Sequence, residues 1–300
     1  MSYNVISIMK LNFWYIDVFS NQRFKGNPAA IFFESDDLDE KTMAQIANEL
    51  NLSETVFLLK PTNRNATYRA RIFTPKTELP FAGHPTIAAS FAYKNFYNFS
   101  DDELIQECGA GLIRIKKENE IFSVTQKDPD FVELNYGKKE IAAMVELAED
   151  DIAGFQIEKI STGIPWAVIM LNSSKAVGNA KPNHEKILNF SKKENLVGLQ
   201  IFAKNEDAKA DIHIRTFCPI VGVYEDPACG SGNGCVASYI AKHNILEKSN
   251  YIASQGRELG RESAIYASFE KIGDKILNIK IGGSAVKVLE GTINVWITIW

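Results

Sequence analysis

The pentapeptide Arg71-Ile-Phe-Thr-Pro75 is echoed by Arg215-Thr-Phe-Cys-Pro219. Each copy is followed by a glycine turn and then an apolar run with helical spacing. The first turn is Gly83-His-Pro85, leading into residues 86–93; the second is Gly230-Ser231, leading into residues 235–241. Ala89-Ser-Phe91 in the first run matches Ala237-Ser-Tyr239 in the second. A strand, a loop, a glycine turn and a helix, repeated in that order in each half, predict two lobes of similar design. A length of 300 residues suits that division.

The second turn carries the densest chemistry. Gly230, Gly232 and Gly234 fall within five residues, flanked by Asp226, Cys229 and Ser231. Glycine lets a backbone approach a ligand with no Cβ in the way. A glycine turn that opens a helix leaves N–H groups without intrahelical partners at the positive end of the dipole, which favours an anion. The same residues would also make an ordinary turn capped by Ser231.

Composition narrows the class. At 45% hydrophobic and 23% charged, the chain can bury sizeable cores. A net charge of −4 leaves no basic surplus, so nucleic acid is not an expected partner. No apolar run is long enough to span a membrane and the start lacks the pattern of a signal peptide, so the expected location is cytoplasmic. The four cysteines (108, 218, 229 and 235) form no Cys-x-x-Cys pair and fit no common zinc spacing; free thiols, three of them in or near the core, are expected. Neither a metal site nor a dinucleotide fingerprint is present in the sequence pattern.

Strands are expected over residues 12–18, 29–33, 56–59 and 68–73, with a helix over 37–51 capped by Asp37 or Asp39. Residues 111–116 and 121–126 read as a hairpin, and 127–130 as a linker. In the second half, helices are expected over 140–148 and 183–195. Strands are expected over 155–161, 166–171, 198–203, 212–217, 264–269, 276–281 and 285–298, with 254–263 as a loop. Many strands with one long apolar helix per half indicate an α+β fold. The expected lobes are 1–128 and 129–286, with a last strand near 287–300 crossing back to the first.

Among candidate residues, Glu54 precedes the apolar run Val56-Phe-Leu-Leu59. A carboxylate against apolar walls has a raised pKa and is suited to shuttling a proton. His84 opens a helix, where the positive dipole end disfavours imidazolium and a neutral ring is expected. At the other turn, Asp226 is close enough in sequence to reach the pocket of Ser231, and a helix N-terminus would favour the Cys229 thiolate as an acid or base. His184, His213 and His243 lack such a context and read as structural.

Together, Phe24-x-Gly-Asn-Pro-Ala-Ala, Leu52-Ser-Glu-Thr, Arg71-x-Phe-Thr-Pro, Phe81-Ala-Gly-His-Pro-Thr, Glu225-Asp-Pro-x-x-Gly-Ser-Gly and Gln255-Gly-x-x-x-Gly-Arg resemble the phenazine-biosynthesis PhzF-like family. The resemblance runs from about residue 17 to 291. It implies two pseudo-symmetric lobes, each a β-sheet wrapped around a central α-helix, with the active site in the cleft between them, as in the related diaminopimelate epimerase and proline racemase. It implies a cofactor-free isomerase, commonly a homodimer, acting on trans-2,3-dihydro-3-hydroxyanthranilate. Glu54 then takes and returns a proton, supported by His84, Asp226 and Ser231. Gly83, Cys229, Gly230 and Ser231 contact the substrate, the last two holding its carboxylate through their N–H groups. One departure matters. The epimerase relatives pair two cysteines, whereas here Cys229 stands opposite Ala82, which carries no proton. Two alternatives accompany this reading: an epimerase or racemase using Glu54 with Cys229, and a non-catalytic module that binds a small molecule or protein.

Overall fold

The computed structural model describes residues 5–206 and 209–299. Residues 1–4 and Trp300, which the sequence reading includes in the first lobe and the last strand, lie outside the described residues. Contacts divide the chain into two compact units. Among the described residues, the first comprises 5–24, 28–124 and 284–299; the second comprises 25–27, 125–206 and 209–283. No described helix is long and apolar enough to cross a membrane.

In the first unit the elements run β1 (Val5–Val18), β2 (Asn27–Phe32), α1 (Glu40–Leu50), β3 (Glu54–Leu59), β4 (Tyr68–Phe73), β5 (Glu78–Leu79), α2 (Gly83–Phe96), β6 (Glu103–Cys108), β7 (Gly111–Glu118) and β8 (Ile121–Thr125). The second unit follows with β9 (Asp130–Glu133), α3 (Lys138–Val145), β10 (Glu158–Ser161), β11 (Pro165–Met170), α4 (Ser174–Asn179) and α5 (His184–Glu194). It continues with β12 (Gly198–Lys204), β13 (Ile212–Cys218), β14 (Val223–Asp226), α6 (Gly230–His243), β15 (Asn250–Gln255), β16 (Ser263–Ile272) and β17 (Lys275–Gly283). β18 (Ala285–Ile299) then returns to the first unit, pairing antiparallel with β1 from Val18↔Ala285 to Val5↔Ile299.

The repeated pentapeptide marks a repeated topology. In the first unit β2 runs parallel to β3, β3 antiparallel to β4, β4 antiparallel to β5 and parallel to β6, and β6 antiparallel to β7. In the second, β11, β12, β13, β14, β15 and β16 pair in the same sequence and the same senses. The arginine serves the same purpose each time. Arg71 on β4 grips Glu78 on β5 with Nε–Oε1 and Nη2–Oε2 distances of 2.7 and 2.6 Å, and its guanidinium lies 5.2 Å from the Phe73 ring centroid. Arg215 on β13 grips Glu225 on β14 with both distances at 2.8 Å, and lies 5.0 Å from the Phe217 ring centroid. The fork geometry of guanidinium and carboxylate locks a short hairpin just ahead of each central helix.

Those helices are buried on nearly every side, which is why their sequences are apolar or small throughout rather than striped. From His84 to Ala92 only Phe91 of α2 is not fully buried, and the helix touches β1, β3, β6 and β18. α6 is buried from Gly230 to Ala241 except at Ser231, and touches β10, β11, β12, β16 and β17. The outer helices are amphipathic. α1 is capped by Asp39, whose carboxylate accepts the Thr42 N–H at 2.8 Å, and it buries Met43 and Ala47 against Phe32, Phe57 and Phe73. α3, α4 and α5 pack Ile141, Val177 and Ile187 against β11, β12 and Phe217.

Sequence expectation and structure part at several elements. β1 begins at Val5 rather than near residue 12, because its partner is the distant β18. The segment expected as a loop over 254–263 opens with the last two residues of β15, Ser254 and Gln255, both buried. β6, β14 and α4 had no counterpart in the sequence pattern. All four cysteines are free thiols; Cys218 and Cys235 are buried as expected, Cys108 is only half-buried, and Cys229 is buried as well.

Candidate active site

Glu54 is the first residue of β3, in register with Ala29 of β2, just beyond the left-handed residue Asn51 (φ 50°) that ends α1. Strand pairing therefore fixes its backbone, and the following residues Thr55 to Leu58 are buried. Its side chain is 17% exposed, and Oε2 has no hydrogen-bond partner among the described residues. That oxygen lies 3.3 Å from Nε2 of His84. Burial of a carboxylate without compensating bonds penalises the charged form. It pushes the Glu54 carboxyl up from 4.5 to about 7, against a smaller opposing effect of the Ser53 hydroxyl. A group titrating there takes and returns protons near neutral pH with little driving force lost in either direction.

His84 is the second residue of α2 and is buried. The helix starts at Gly83 after Ala82, which has extended backbone and no capping side chain. The sequence pair Glu54 and His84, thirty positions apart in the chain, thus meets in one place in the first unit.

In the second unit Asp226, Cys229, Gly230 and Ser231 come together around the start of α6. Cys229 is the N-cap, and its sulfur accepts the Gly232 N–H at 3.4 Å. The Asn233 N–H is taken by the Cys229 carbonyl at 3.0 Å. The first-turn N–H groups of Gly230 and Ser231 have no acceptor within a helix, so they are the ones that suit an anion. Ser231 accepts the indole N–H of Trp166 at 3.1 Å, and its hydroxyl lies 3.6 Å from the Cys229 sulfur, where either atom can donate. Glycine leaves room here for two glutamine side chains: a Cβ on Gly232 would sit 1.9 Å from Nε2 of Gln200, and one on Gly234 would sit 1.7 Å from Oε1 of Gln126, so either amide would have to move aside.

Of the two sequence readings of Cys229, a helix-terminus thiolate and a buried small hydrophobe, its environment favours the second. Burial, and then the nearby Asp226 carboxylate, push Cys229 well above its ordinary value of 9.0. Desolvation outweighs the helix-terminus effect that favours a thiolate, so Cys229 keeps its proton at neutral pH. Asp226 itself is oriented by Asn27, whose amide donates to Oδ1 at 2.9 Å and to the Ala228 carbonyl at 3.0 Å, and by the Ala228 N–H at 2.9 Å. Asn27 and Trp166 were not singled out by the sequence reading. Asn27 sits in the Gly-Asn-Pro turn, a detectable signal; nothing local marks Trp166. Of the remaining histidines, His213 lies 3.1 Å from Glu258 and His243 lies 3.0 Å from Glu158, while the His184 ring meets Tyr224 at a 48° tilt with centroids 4.7 Å apart. No group of potential metal ligands occurs among the described residues.

The model of the phenazine biosynthesis-like protein family matches residues 16–291. The chain is 36% identical over 296 residues to Antisense-enhancing sequence 1 of Schizosaccharomyces pombe, covering 93% of this chain and 97% of that protein. It is 33% identical over 284 residues to the trans-2,3-dihydro-3-hydroxyanthranilate isomerase of Pseudomonas chlororaphis, again covering 93% and 97%. The crystal structure of a PhzF-family phenazine biosynthesis protein from Bacillus anthracis superposes with a TM-score of 0.87 at 26% identity, over 96% of this chain and all of that one. With the motifs above embedded in the same doubled α+β topology, the chain belongs to the phenazine biosynthesis-like (PhzF) family.

Proposed function

We propose that this protein is an isomerase that moves a proton between carbons of a small carboxylate substrate without a cofactor, with Glu54 as both base and acid. The observation that carries the reading is the Glu54 carboxyl, buried at the start of β3, 3.3 Å from His84 and raised to about 7. In the reaction the Glu54 carboxylate removes a proton from carbon, and the C–H electron pair enters the adjoining unsaturated system. The protonated Glu54 then delivers the proton to the other end of that system, so a new C–H bond forms and composition is unchanged. His84 orients the carboxyl. Gly230 and Ser231 anchor the substrate carboxylate through their N–H groups, Ser231 adds its hydroxyl, and Asp226 and Gly83 complete the contacts. Preorganised N–H donors of this kind stabilise charge that builds up near the carboxylate during deprotonation.

Support comes from the family membership and from relatives named as isomerases, one of them for trans-2,3-dihydro-3-hydroxyanthranilate. An epimerase or racemase mechanism that uses Cys229 as a base together with Glu54 has less support, because the thiol holds its proton. The test is hydrogen exchange. The protein is incubated in D2O with a panel of small amino and hydroxy acids that includes trans-2,3-dihydro-3-hydroxyanthranilate, and C–H loss is followed by NMR. Deuterium uptake that vanishes in Glu54→Gln is the expected result. Exchange that persists in a folded Glu54→Gln protein would remove Glu54 from the mechanism.

A further inference from the structure

The motif Gln255-Gly-x-x-x-Gly-Arg261 takes no part in the chemistry above, yet it reaches the anion-binding turn from below. Gln255 ends β15 and is fully buried. Its amide makes four hydrogen bonds. Nε2 donates to the Asp226 carbonyl at 2.7 Å and to Oγ1 of Thr216 at 2.9 Å. Oε1 accepts the backbone N–H of Cys229 at 3.3 Å and Nδ2 of Asn233 at 2.8 Å. The donor capacity of the amide nitrogen and the two lone pairs of its oxygen are therefore all in use. Three of the four partners belong to the segment 226–233 that holds the turn.

The rest of the motif serves the same segment. Gly256 has φ +79°, and a Cβ there would lie 2.5 Å from the Pro227 carbonyl oxygen, so only glycine lets the strand end pass beneath Pro227. Arg261 donates from Nε to the Gly26 carbonyl at 2.8 Å and from Nη2 to the Lys25 carbonyl at 3.0 Å, fixing the segment whose Asn27 holds the Asp226 carboxylate. The first unit repeats the device with a different glutamine. Gln106 on β6, the topological counterpart of β15, accepts the Tyr68 hydroxyl at 3.2 Å and donates at 3.0 Å to Thr86, which in turn donates to the Ala82 carbonyl at the start of α2.

We infer that Gln255 is a positioning residue: it sets the height and orientation of the Gly230–Ser231 N–H groups, and with them Asp226, for binding a carboxylate. The inference rests on the anion-anchoring role assigned to those N–H groups under the proposed function. Without the Gln255 amide, the Cys229 N–H and Asn233 lose a buried acceptor, and the turn settles in a geometry that grips an anion less well. In metal sites, removing such an outer-shell partner costs roughly ten- to hundred-fold in affinity, and a loss at the lower end of that range is expected here.

The experiment titrates benzoate, a simple planar carboxylate, into the full-length 15N-labelled protein and follows the amide resonances of Gly230 and Ser231. Gln255→Met keeps the side-chain length and removes every polar contact; Gln255→Asn keeps the amide but shortens its reach, and serves if the first variant does not fold. Melting temperature and the β16 and β17 amide resonances report whether the second unit remains intact. The expected result is benzoate-dependent shifts in the wild type and an approximately tenfold weaker Kd in the folded variant. With trans-2,3-dihydro-3-hydroxyanthranilate, KM rises more than kcat falls. A folded variant that binds benzoate as the wild type does would overturn the positioning role while leaving Glu54 chemistry standing. Wild-type protein whose Gly230 and Ser231 amides ignore benzoate would remove the anion anchor and this inference together, and the Glu54 exchange assay would judge the remainder separately.

Discussion

Replacing Glu54 by glutamine should stabilise the folded protein, and only at neutral to alkaline pH. Raising the carboxyl from 4.5 to about 7 makes ionisation in the folded state harder than in the unfolded chain by about 3 kcal/mol. The sign follows from proton binding. Below pH 4.5 both states hold the proton and Glu54 is neutral in each. Between 4.5 and 7 the folded state binds more protons than the unfolded one, so stability falls as pH rises. Above about 7 the full penalty is in place. Glutamine has nearly the same shape and never ionises. The melting temperature of Glu54→Gln should therefore match the wild type near pH 4 and exceed it by roughly 5–10 °C near pH 8. Circular dichroism melts of both proteins at half-unit steps from pH 4 to 9 give the two curves. Parallel curves, or a variant less stable than the wild type at pH 8, would show that the carboxyl is not held up by burial, and would remove the physical basis for its use as a shuttle.

The same carboxyl sets a rate profile. If Glu54 must start ionised, kcat/KM rises with pH through about 7 and levels off above it, as a pH series with any substrate that exchanges will reveal. The two arginine clamps should differ in weight. Arg215 and Glu225 have side chains only 6% and 11% exposed, so Arg215→Met strands a buried carboxylate and should cost about 3 kcal/mol in urea denaturation. Arg71→Met leaves Glu40 and Glu78, 72% and 35% exposed, to be solvated by water, and should cost about 1 kcal/mol or less.

Much of this organisation was legible from residue order alone, and what was missed has a common cause. The echo of Arg71-x-Phe-x-Pro at Arg215 anticipated a repeated topology because the arginine, the aromatic ring under it and the glycine turn are tied to one hairpin-and-helix unit. Glu54 and His84 each stand out singly, as a loop acid ahead of an apolar strand and a helix-opening histidine, but only the family resemblance implied that they act together. β6 and β15 escaped notice because their inward faces carry glutamines. Gln106 and Gln255 are fully buried, and a hydrophobic pattern reads them as surface. Their burial is stabilised by partners on other strands and helices, which sequence periodicity does not register. The protonation of Cys229 is a matter of the same kind. A helix start is visible in sequence, but the depth at which it is buried is not, and depth decides the thiol.

The pairing of β1 with β18 has a consequence during synthesis. The first unit has its strands through β8 when residue 125 emerges, yet β1 gains that partner only after Ala285 and the residues beyond it have been made. The second unit, apart from the segment 25–27, lies wholly in the interval. At 5–20 residues per second, the ribosome takes roughly ten to thirty seconds to cross it. For that time the nascent first unit carries a long strand with an open edge, a template for pairing with another chain. The second unit, interposed in the sequence, is free to fold before the one that began ahead of it.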